Sequence, residues 1–509
     1  MREDRYGNRP TPRQDSPNRA AHVAPTRLDR QPRTRQLDDE AAERARARAE
    51  RRAARAEESE RGSRTRRDDN VYADERPDYG GIRIEPRIIA LAVVAVLALG
   101  ALVLLGSCVA GCVGGAGSQD SGETQEVATH SGKRSVTDSY VLLDQGRTTA
   151  SGDGRVTFCA VGDNLMNQNL LDLVYSWNDD GTYDFSPLYR EIEDDVAGYD
   201  VAFINQETTL GGTDQFDYSG YPSYNTPDSM ADAVEDAGFR VVTANTNHTY
   251  DTWVASIEHA LGVWAEHDNV LLIGSYASAE DAAKVQMVEC NGLRIAFLSY
   301  SYGQNGYELS DLPNDYYAVP IPSSQEELAA DVAAAREVAD VVVVYLHDGI
   351  EYTHEPSEEQ RSFAQWCADE GVDLMIGSHC HWIQSMEWIT RGEDAEGVDN
   401  NPDDSGNQML AVYGLGDFLS GYHNNPECVL SGMFSCTFVR KGDTVHVQDV
   451  VWTPLIEHWE GTEDYVIPVR DYTEEMAENN ELLTDLDDPY AWLRDTSQSV
   501  IGDDFTIDM

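Results

Sequence analysis

Basic residues are scarce in most of this 509-residue chain. The whole sequence contains 37 Lys and Arg against 91 Asp and Glu, a formal net charge of −54. Residues 1–87 hold 22 of the basic and 18 of the acidic residues, which leaves 15 basic and 73 acidic residues, a net of −58, in residues 88–509. An acidic body of this kind repels nucleic-acid backbones and other polyanions, so we expect no nucleic-acid partner. The length allows two or three domains.

Large apolar residues are rare in residues 1–87, which are rich in Arg, Asp, Pro and Gln. Such a segment cannot bury a core, and it is predicted to be a disordered arm. Within it, residues 37–62 are rich in Ala, Arg and Glu and are compatible with a solvated helix. A nucleic-acid-binding arm is one alternative. The intermixed acidic residues favour a cytoplasmic tail.

Charge is absent from residues 88–106, and this apolar stretch predicts a transmembrane signal anchor over residues 88–110. Three arginines precede it within twelve residues, and the next basic residue is Lys133, so we expect a cytoplasmic arm and an extracellular body. A buried core helix is the alternative for the span. Two tetrapeptides, "LGSC" ending at Cys108 and "VAGC" ending at Cys112, leave open a lipoprotein anchored at Cys112, although a long arm favours an uncleaved anchor.

Internal repeats are also absent from the remainder of the chain. Residues 111–153 are rich in Gly, Ser and Thr and predict a linker, residues 154–460 predict the main domain, and residues 461–509 predict an acidic tail that docks in part. Apolar runs typical of strands begin near residues 156, 200, 239, 269, 293, 340, 372 and 409. Helical patterns lie between several of them, at residues 256–267, 324–339 and 356–371. This alternation predicts an α/β layered domain.

Six of the eight cysteines follow the apolar span, at irregular spacings. The sequence therefore does not determine their pairing. Cys428 and Cys436 are close enough to join the two arms of a hairpin.

Polar residues of the kinds that bind metals recur where the predicted strands end: Asp163, Asn205, Glu207, Asn247, His248, His347, His379 and His381. Each has a structural alternative, such as a turn, a helix cap or a buried hydrogen bond. Taken together they indicate a site, because the carboxyl ends of strands in α/β sheets open onto the ligand crevice. On an extended segment His379 and His381 would point to the same side, and Cys380 to the other.

The predicted ligands mix carboxylate, amide and imidazole groups. This mixture suits one or two divalent ions of the Zn²⁺, Mn²⁺ or Fe²⁺ type better than a cage of oxygens for Mg²⁺ or Ca²⁺. Two such ions about 3.5–4 Å apart can hold a phosphate and activate water. A histidine beside them that binds no metal can protonate the leaving group.

Six motifs in order resemble the poly-γ-glutamate capsule synthesis proteins of the CapA/PgsA type, a branch of the calcineurin-like metallophosphoesterases. They cover residues 154–455 and read "AVGDNLM", "INQETTL", "ANTNHTYD", "YLHDGIEYTHEPSEEQ", "GVDLMIGSHCHWIQ" and "VYGLGDFL". The resemblance implies a four-layer α/β/β/α sandwich. It also implies metal ligands at Asp163, Glu207, Asn247, His347, His379 and His381. His248 would be the acid, oriented by Asp251, and substrate would meet Asn205, Glu351, Tyr352 and Gln384.

The chain departs from the family pattern at several of these places. Leu165 stands where classical metallophosphoesterases have a histidine, so we expect one well-supplied metal position and one weaker position. The first would be formed by Glu207, Asn247, His347 and His379, and the second by Asp163, His381 and a shared Glu207. Asp348 and Asp417 replace Trp and Asn and would add negative charge near the site. Cys380 replaces Pro; a thiolate would bind Zn²⁺, but a packed or disulfide-bonded cysteine is favoured.

Three functions follow as hypotheses. The first is a membrane-anchored extracellular protein that assists synthesis, export or anchoring of an anionic capsule polymer such as poly-γ-glutamate, with a metal-dependent hydrolase-type site. Its expected partners are the membrane, capsule polymer synthase subunits and the polymer. The second is an extracellular metal-dependent phosphoesterase with a phosphoester substrate. The third is a non-catalytic capsule scaffold with a vestigial metal site.

Overall fold

The described part of the chain forms a mixed α/β sandwich of two β-sheets. The computed structural model describes residues 125–128, 133–146, 151–307, 311–392, 408–422, 425–442, 444–484 and 486–509. All of these residues belong to one unit, Ser118–Met509. The expected arm (1–87) and apolar span (88–110) lie outside the described residues. Among the described residues, no helix combines the length and the apolar character needed to cross a bilayer.

The strands, in chain order, are β1 (Gln125–Ala128), β2 (Lys133–Val136), β3 (Tyr140–Asp144), β4 (Arg155–Asn164), β5 (Val201–Asn205), β6 (Val241–Thr243), β7 (Leu271–Ile273), β8 (Val285–Cys290), β9 (Leu293–Ser301), β10 (Val341–His347), β11 (Leu374–Ser378), β12 (Met386–Thr390), β13 (Gln408–Val412), β14 (Asp417–Leu419), β15 (Leu430–Lys441), β16 (Thr444–Glu460), β17 (Glu463–Pro468) and β18 (Thr506–Ile507). The α-helices are α1 (Gln168–Ser176), α2 (Glu193–Ala197), α3 (Ser229–Ala237), α4 (Trp253–Ala265), α5 (Ala279–Ala282), α6 (Gln325–Arg336), α7 (Glu358–Asp369), α8 (Glu474–Asn479) and α9 (Pro489–Ile501). Short 3-10 helices lie at Ser186–Tyr189, Pro426–Val429, Val469–Asp471 and Glu481–Leu483.

One sheet has the strand order β1-β2-β3-β8-β9-β10-β11-β13-β12, and the other has the order β17-β16-β15-β4-β5-β6-β7, with β14 beside β4 and β18 beside β16. At the centre of each sheet the strands run parallel: β9, β10 and β11 in the first, and β4, β5, β6 and β7 in the second. Every residue of β10, "VVVVYLH", is buried. A continuous β-branched run of this kind is typical of a strand covered on both faces.

The two sheets face each other across an apolar core. The ring centroids of Phe158 in β4 and Phe297 in β9 are 6.4 Å apart, and those of Phe203 in β5 and Tyr345 in β10 are 5.5 Å apart. These contacts bring the central strands of both sheets, and therefore their carboxyl ends, close together.

Helices pack against the sheets on the sides away from this core. Val342 and Val344 of β10 cluster with Leu328 of α6 and Phe363 of α7. Helix α7 begins with the capping box that its sequence predicts, because the Ser357 side chain accepts from the Gln360 backbone and the Gln360 side chain accepts from the Ser357 backbone. All eight predicted strand runs and the three predicted helices are present.

One expected boundary is wrong. The linker was expected to extend to residue 153, but residues 133–136 and 140–144 form strands, and β3 pairs in parallel with β8. The acidic tail was expected from residue 461 with partial docking, and two of its segments do dock: β17 pairs with β16 over Glu463–Pro468, and β18 also pairs with β16. Both segments carry apolar residues that complete the edges of the sheets.

The cysteines of the described residues are all free thiols, and all are buried. Cys428 lies in the 3-10 helix Pro426–Val429, whereas Cys436 lies within β15. As free thiols they do not join a hairpin by a disulfide.

Candidate metal centre

The residues singled out in the sequence do meet at the carboxyl ends of the central strands. Asp163 and Asn205 end β4 and β5 of one sheet, and His347 and Ser378 end β10 and β11 of the other. Because these strands are parallel within each sheet, and the sheets face each other, their ends form one rim.

Two clusters of ligand atoms lie on this rim. Glu207, His347 and His379 form the first, and Asp163, Glu207 and His381 form the second. Within each cluster the candidate ligand atoms lie within 4.8 Å of one another. The side-chain oxygen of Asn247 is 2.9 Å from His347 Nε2 and so adjoins the first cluster. The structure thus groups these residues into two candidate clusters that share Glu207.

Several atoms of these clusters are buried without a hydrogen bond. Among the described residues, Asp163 Oδ2, both carboxylate oxygens of Glu207, and His379 Nδ1 have no hydrogen-bond partner. Burying a carboxylate without a partner is costly, and a bound cation removes that cost. The donor sets combine imidazole with carboxylate and amide oxygen. They fit a divalent metal, and they leave its identity open.

The histidines of the first cluster favour their neutral, metal-binding form. Burial and the neighbouring His379 hold the pKa of His347 well below its usual range, and burial and His381 lower the pKa of His379 to about 3. Burial and the facing Asp163 carboxylate raise the pKa of Glu207 well above its usual range. A cation would reverse that last shift, since ligand carboxylates bind metals in their ionised form.

In the second cluster, neighbouring charges outweigh the effect of burial on the pKa values. Burial alone would lower the pKa of His381, but Asp417 and Asp163 raise it well above its usual range. Burial alone would raise the pKa of Asp163, but the His381 ring, whose Nδ1 lies 3.6 Å from Asp163 Oδ2, and the charge of His347 lower it overall. Without a metal, His381 is therefore the group that supplies positive charge here.

The turn from His379 to His381 is not the extended segment expected from the sequence. His379 and His381 have positive φ angles of 96° and 60°. Such angles are uncommon for residues other than glycine, and they cluster at functional sites. Both imidazoles still reach the clusters, so the left-handed backbone, and not strand alternation, presents them.

Cys380 points away from the metal clusters, as expected. Its Sγ lies 3.7 Å from Gln360 Nε2 and 3.8 Å from the Asp348 carbonyl oxygen. Burial, followed by the charge of Asp163, raises the pKa of this thiol to about 12. A Cβ at Gly349 would lie 2.6 Å from Sγ, so a glycine is needed opposite the turn.

His248 and Asp251 form the expected pair beside the metal clusters. His248 Nδ1 lies 2.7 Å from Asp251 Oδ2, which also accepts a hydrogen bond of 2.7 Å from the Tyr224 backbone. The Tyr224 ring meets the His248 ring edge-on at 4.7 Å. A carboxylate on one ring nitrogen orients an imidazole and leaves the other nitrogen for proton transfer.

These groups open onto a cleft of about 870 Å³. Its lining includes His248, His381 and Asp417, and no Lys or Arg of the described residues lines it. Glu351 and Tyr352 also line the cleft. The expected charge at Asp417 is therefore present, whereas Asp348 does not belong to the lining.

Two of the expected substrate-binding residues are instead structural. Asn205 is buried and donates a hydrogen bond of 2.7 Å to Asp163 Oδ1. Gln384 is buried, donates a hydrogen bond of 3.0 Å to the Thr353 carbonyl and accepts one of 3.0 Å from Gln360. Neither side chain lines the cleft, and among the described residues Asn205 Oδ1 has no hydrogen-bond partner.

Sequence reasoning missed three residues of the site. Ser378 donates a hydrogen bond to Asp163, and Tyr345 OH lies 2.9 Å from His347 Nδ1. Asn305 accepts a hydrogen bond of 3.1 Å from Asn247 and approaches both ring nitrogens of His248 at 3.3 Å. Asn305 follows the end of β9, the same signal that identified the other strand-end residues.

Known proteins resemble this chain over the same region. The family described as bacterial capsule synthesis protein PGA_cap matches residues 157–422. The PGA biosynthesis protein CapA of Bacillus subtilis (strain 168) is 26% identical over 230 residues, which cover 45% of this chain and 58% of that protein. The capsule biosynthesis protein CapA of Bacillus anthracis is 23% identical over 245 residues, which cover 47% of this chain and 57% of that protein. The matched region thus spans less than two thirds of either relative.

Two solved structures also align with the chain. The Haemophilus influenzae NAD nucleotidase aligns with a TM-score of 0.34 and 9% identity, covering 68% of this chain and 59% of that one. A putative 5'-nucleotidase from Staphylococcus aureus aligns with a TM-score of 0.33 and 13% identity, covering 65% of this chain and 58% of that one. The family match extends over half of the chain and contains every candidate metal ligand, and the chain therefore belongs to the bacterial capsule synthesis protein family PGA_cap.

Proposed function

We propose that this protein assists the synthesis, export or anchoring of an anionic capsule polymer, and that it does so through a metal-dependent hydrolase site on a four-layer, metallophosphoesterase-like α/β/β/α fold. Poly-γ-glutamate is the proposed polymer. Family membership and the names of the two CapA relatives support this choice.

One observation carries the hydrolase part of the proposal. Glu207 belongs to both ligand clusters, and the His248–Asp251 pair opens onto the same cleft. A shared carboxylate between two clusters is the arrangement that holds two divalent ions side by side, and such ions supply a nucleophilic water and polarise the bond to be cleaved. Asp251 keeps the His248 ring in place, so that its second nitrogen can give a proton to the leaving group.

The cleft itself is suited to a substrate that depends on cations. No Lys or Arg of the described residues lines it, and the chain from residue 88 onwards carries a net charge of −58. An anionic polymer would therefore be held through the bound metal and through neutral groups such as Tyr352 and Asn305, and not by a basic surface.

We further propose a location at the cell membrane, with residues 88–110 as a single-pass anchor, the arm in the cytoplasm and the described domain outside. Lipid attachment at Cys112 is the alternative anchor. The membrane and the subunits of a polymer synthase are the proposed partners. Protease accessibility in intact cells tests the orientation, because only an extracellular domain is cleaved by added protease.

A second candidate function is an extracellular phosphoesterase. It is favoured by the His248–Asp251 pair beside two clusters, because expulsion of an alcohol from a phosphoester benefits from a proton donor at this place.

Purified full-length protein loaded with Mn²⁺ separates these functions when it is given poly-γ-glutamate and bis(p-nitrophenyl) phosphate in parallel. Under the first proposal the polymer is shortened, and His248→Ala lowers the rate roughly 10²–10⁴-fold while the bound metal stays constant. His259→Ala is the matched control, since His259 is partly exposed and pairs with Asp228 outside the clusters. Cleavage of the phosphodiester alone would support the second function. Bound metal without cleavage of either substrate would support the scaffold.

A further inference from the structure

Asp417 lies beside the second ligand cluster without being one of the expected ligands. It begins β14, which pairs in parallel with β4, and its register partner there is Asp163. Its backbone N–H donates a hydrogen bond of 3.2 Å to the His381 carbonyl oxygen, and its Oδ1 lies 2.8 Å from His381 Nδ1. The Asp417 side chain is buried yet faces the cleft.

This placement brings three buried carboxyl groups together. Asp163, Glu207 and Asp417 are three carboxyl groups around one imidazole, and all three are at most 1% exposed. In the part of the chain that the structure describes, the ion pairs of these three groups involve histidines alone and never Lys or Arg. A divalent cation placed among these groups would balance two carboxylates.

The second cluster offers fewer ligand groups than the first. Leu165 lines the cleft close to it, and an aliphatic side chain cannot bind a metal. The first cluster has two histidines and Asn247, whereas the second has His381 alone besides its carboxylates. Occupancy of the second position therefore depends on how firmly His381 is held and on the charge around it.

We infer that Asp417 is a positioning residue for the second metal position: it holds the imidazole of His381 and supplies the negative charge that a divalent cation needs there. This inference rests on the proposed metal site. A carboxylate that accepts a hydrogen bond from a ligand histidine fixes the ring and increases its basicity, and loss of such a partner commonly costs 10–100-fold in metal affinity. Asp417 thereby compensates for the apolar Leu165.

Metal binding to the full-length protein tests the inference without recourse to activity. The protein is freed of metal with a chelator and titrated with MnCl₂, the bound equivalents being followed by calorimetry and by the electron paramagnetic resonance of Mn²⁺. The wild type is expected to bind two equivalents and to show the exchange-coupled signal of a Mn²⁺ pair. Asp417→Asn should bind the first equivalent as before and the second at least tenfold more weakly, with the signal of an isolated ion.

Asp417→Asn is informative because it preserves the volume and the oxygen that can accept from His381, and removes the charge. Asn is also the residue of the family pattern at this place, so the variant is compatible with the fold. Asp417→Glu restores the charge and should recover most of the second affinity, which a merely structural role does not predict. Asp348→Asn is the matched control, because Asp348 is a half-buried carboxyl outside both clusters.

The outcomes separate this inference from the proposed function. A wild type that binds two equivalents, with an Asp417→Asn variant that does the same within twofold, would overturn only the role of Asp417. A wild type that binds one equivalent would also overturn it. A wild type that binds none would overturn both this inference and the metal-dependent function. Should Asp417→Asn not fold, loss of the second equivalent in folded Asp417→Glu would refute the inference.

Discussion

Glu207→Gln should change stability in opposite directions without and with metal. In the metal-free protein, the Glu207 carboxyl is buried beside Asp163, and neither of its oxygens has a hydrogen-bond partner among the described residues. Burial, and then the charge of Asp163, raises the pKa of Glu207 well above its usual range. The glutamine has the same shape, but it cannot ionise in either the folded or the unfolded state.

The sign and size follow from proton linkage. A carboxyl whose folded pKa is raised binds more protons in the folded state than in the unfolded state, so the free energy of unfolding falls by about 1.4 kcal/mol for each pH unit between the two pKa values. That loss begins near the unfolded pKa of about 4.3 and ends at the folded pKa. Because glutamine cannot ionise, Glu207→Gln should remove this loss: it should stabilise the metal-free protein at pH 8 by about 1.4 kcal/mol for each unit by which folding raises the pKa, and change its stability little at pH 4.

Bound metal should reverse the order of stability of the wild type and Glu207→Gln. Because Glu207 belongs to both clusters, the variant should lose both metal positions. Free Mn²⁺ at 100 times its dissociation constant stabilises a protein by about 2.7 kcal/mol for each site, so the wild type should gain about 5 kcal/mol that Glu207→Gln does not gain. For a folded unit of nearly 400 residues, about 1 kcal/mol corresponds to roughly 1 °C in Tm.

The assay is thermal and urea unfolding of wild type and Glu207→Gln at pH 4, 6 and 8, in chelator and in Mn²⁺. Glu351→Gln is the matched control, because it removes an exposed carboxyl from the same cleft. It should change the stability neither in chelator nor in Mn²⁺. A metal-free Glu207→Gln protein that is less stable than the wild type at pH 8 would refute the reasoning about burial. Equal stabilisation of both proteins by Mn²⁺ would refute the shared-ligand geometry.

Three further results are expected. Asp251→Asn should lower kcat by about 10²-fold on whichever substrate the protein cleaves, because Asp251 orients His248. The bound metal, measured by elemental analysis, should stay unchanged, since Asp251 lies in neither cluster. A parallel loss of metal would count against this role. Cys380→Ala should bind as much metal as the wild type, because the Cys380 thiol contacts Gln360. A lower metal content in this variant would indicate that the thiol is a ligand. Asp464→Asn should stabilise the protein more at pH 8 than at pH 5 in urea unfolding. Burial, and then Glu457, raises the pKa of Asp464 well above its usual range, and burial raises the pKa of Glu457 to about 7, so the folded pair retains protons that the unfolded chain releases. The opposite pH trend would contradict this explanation.

The strands and helices of the domain core were predictable because their signals are local. The buried run "VVVVYLH" and the capping signal of "PSEEQ" identify β10 and α7 within a few residues of sequence. The edge strands at residues 133–144 and 463–468 were not predictable in the same way. Short edge strands are stable through pairing with β8 and β16, and that pairing is a property of the assembled sheet.

The ligand set was predictable for a related reason. In parallel sheets a polar residue at the carboxyl end of a buried strand lies at a common edge, so Asp163 and His347 could be grouped before their contacts were known. The burial of Gln384 could not be predicted, because its hydrogen bonds to the Thr353 carbonyl and to Gln360 come from separate parts of the fold.

The sequence by itself thus determined the α/β character of this domain and identified the strand-end residues that form the two candidate clusters. Only the tertiary structure decided that His379 and His381 reach the site through left-handed backbone, and that Asp417 lies beside Asp163. The physical reason is the range of the interactions involved. Strand and helix periodicity are set by neighbouring residues, whereas the pairing of β14 with β4 brings together side chains that no local pattern relates.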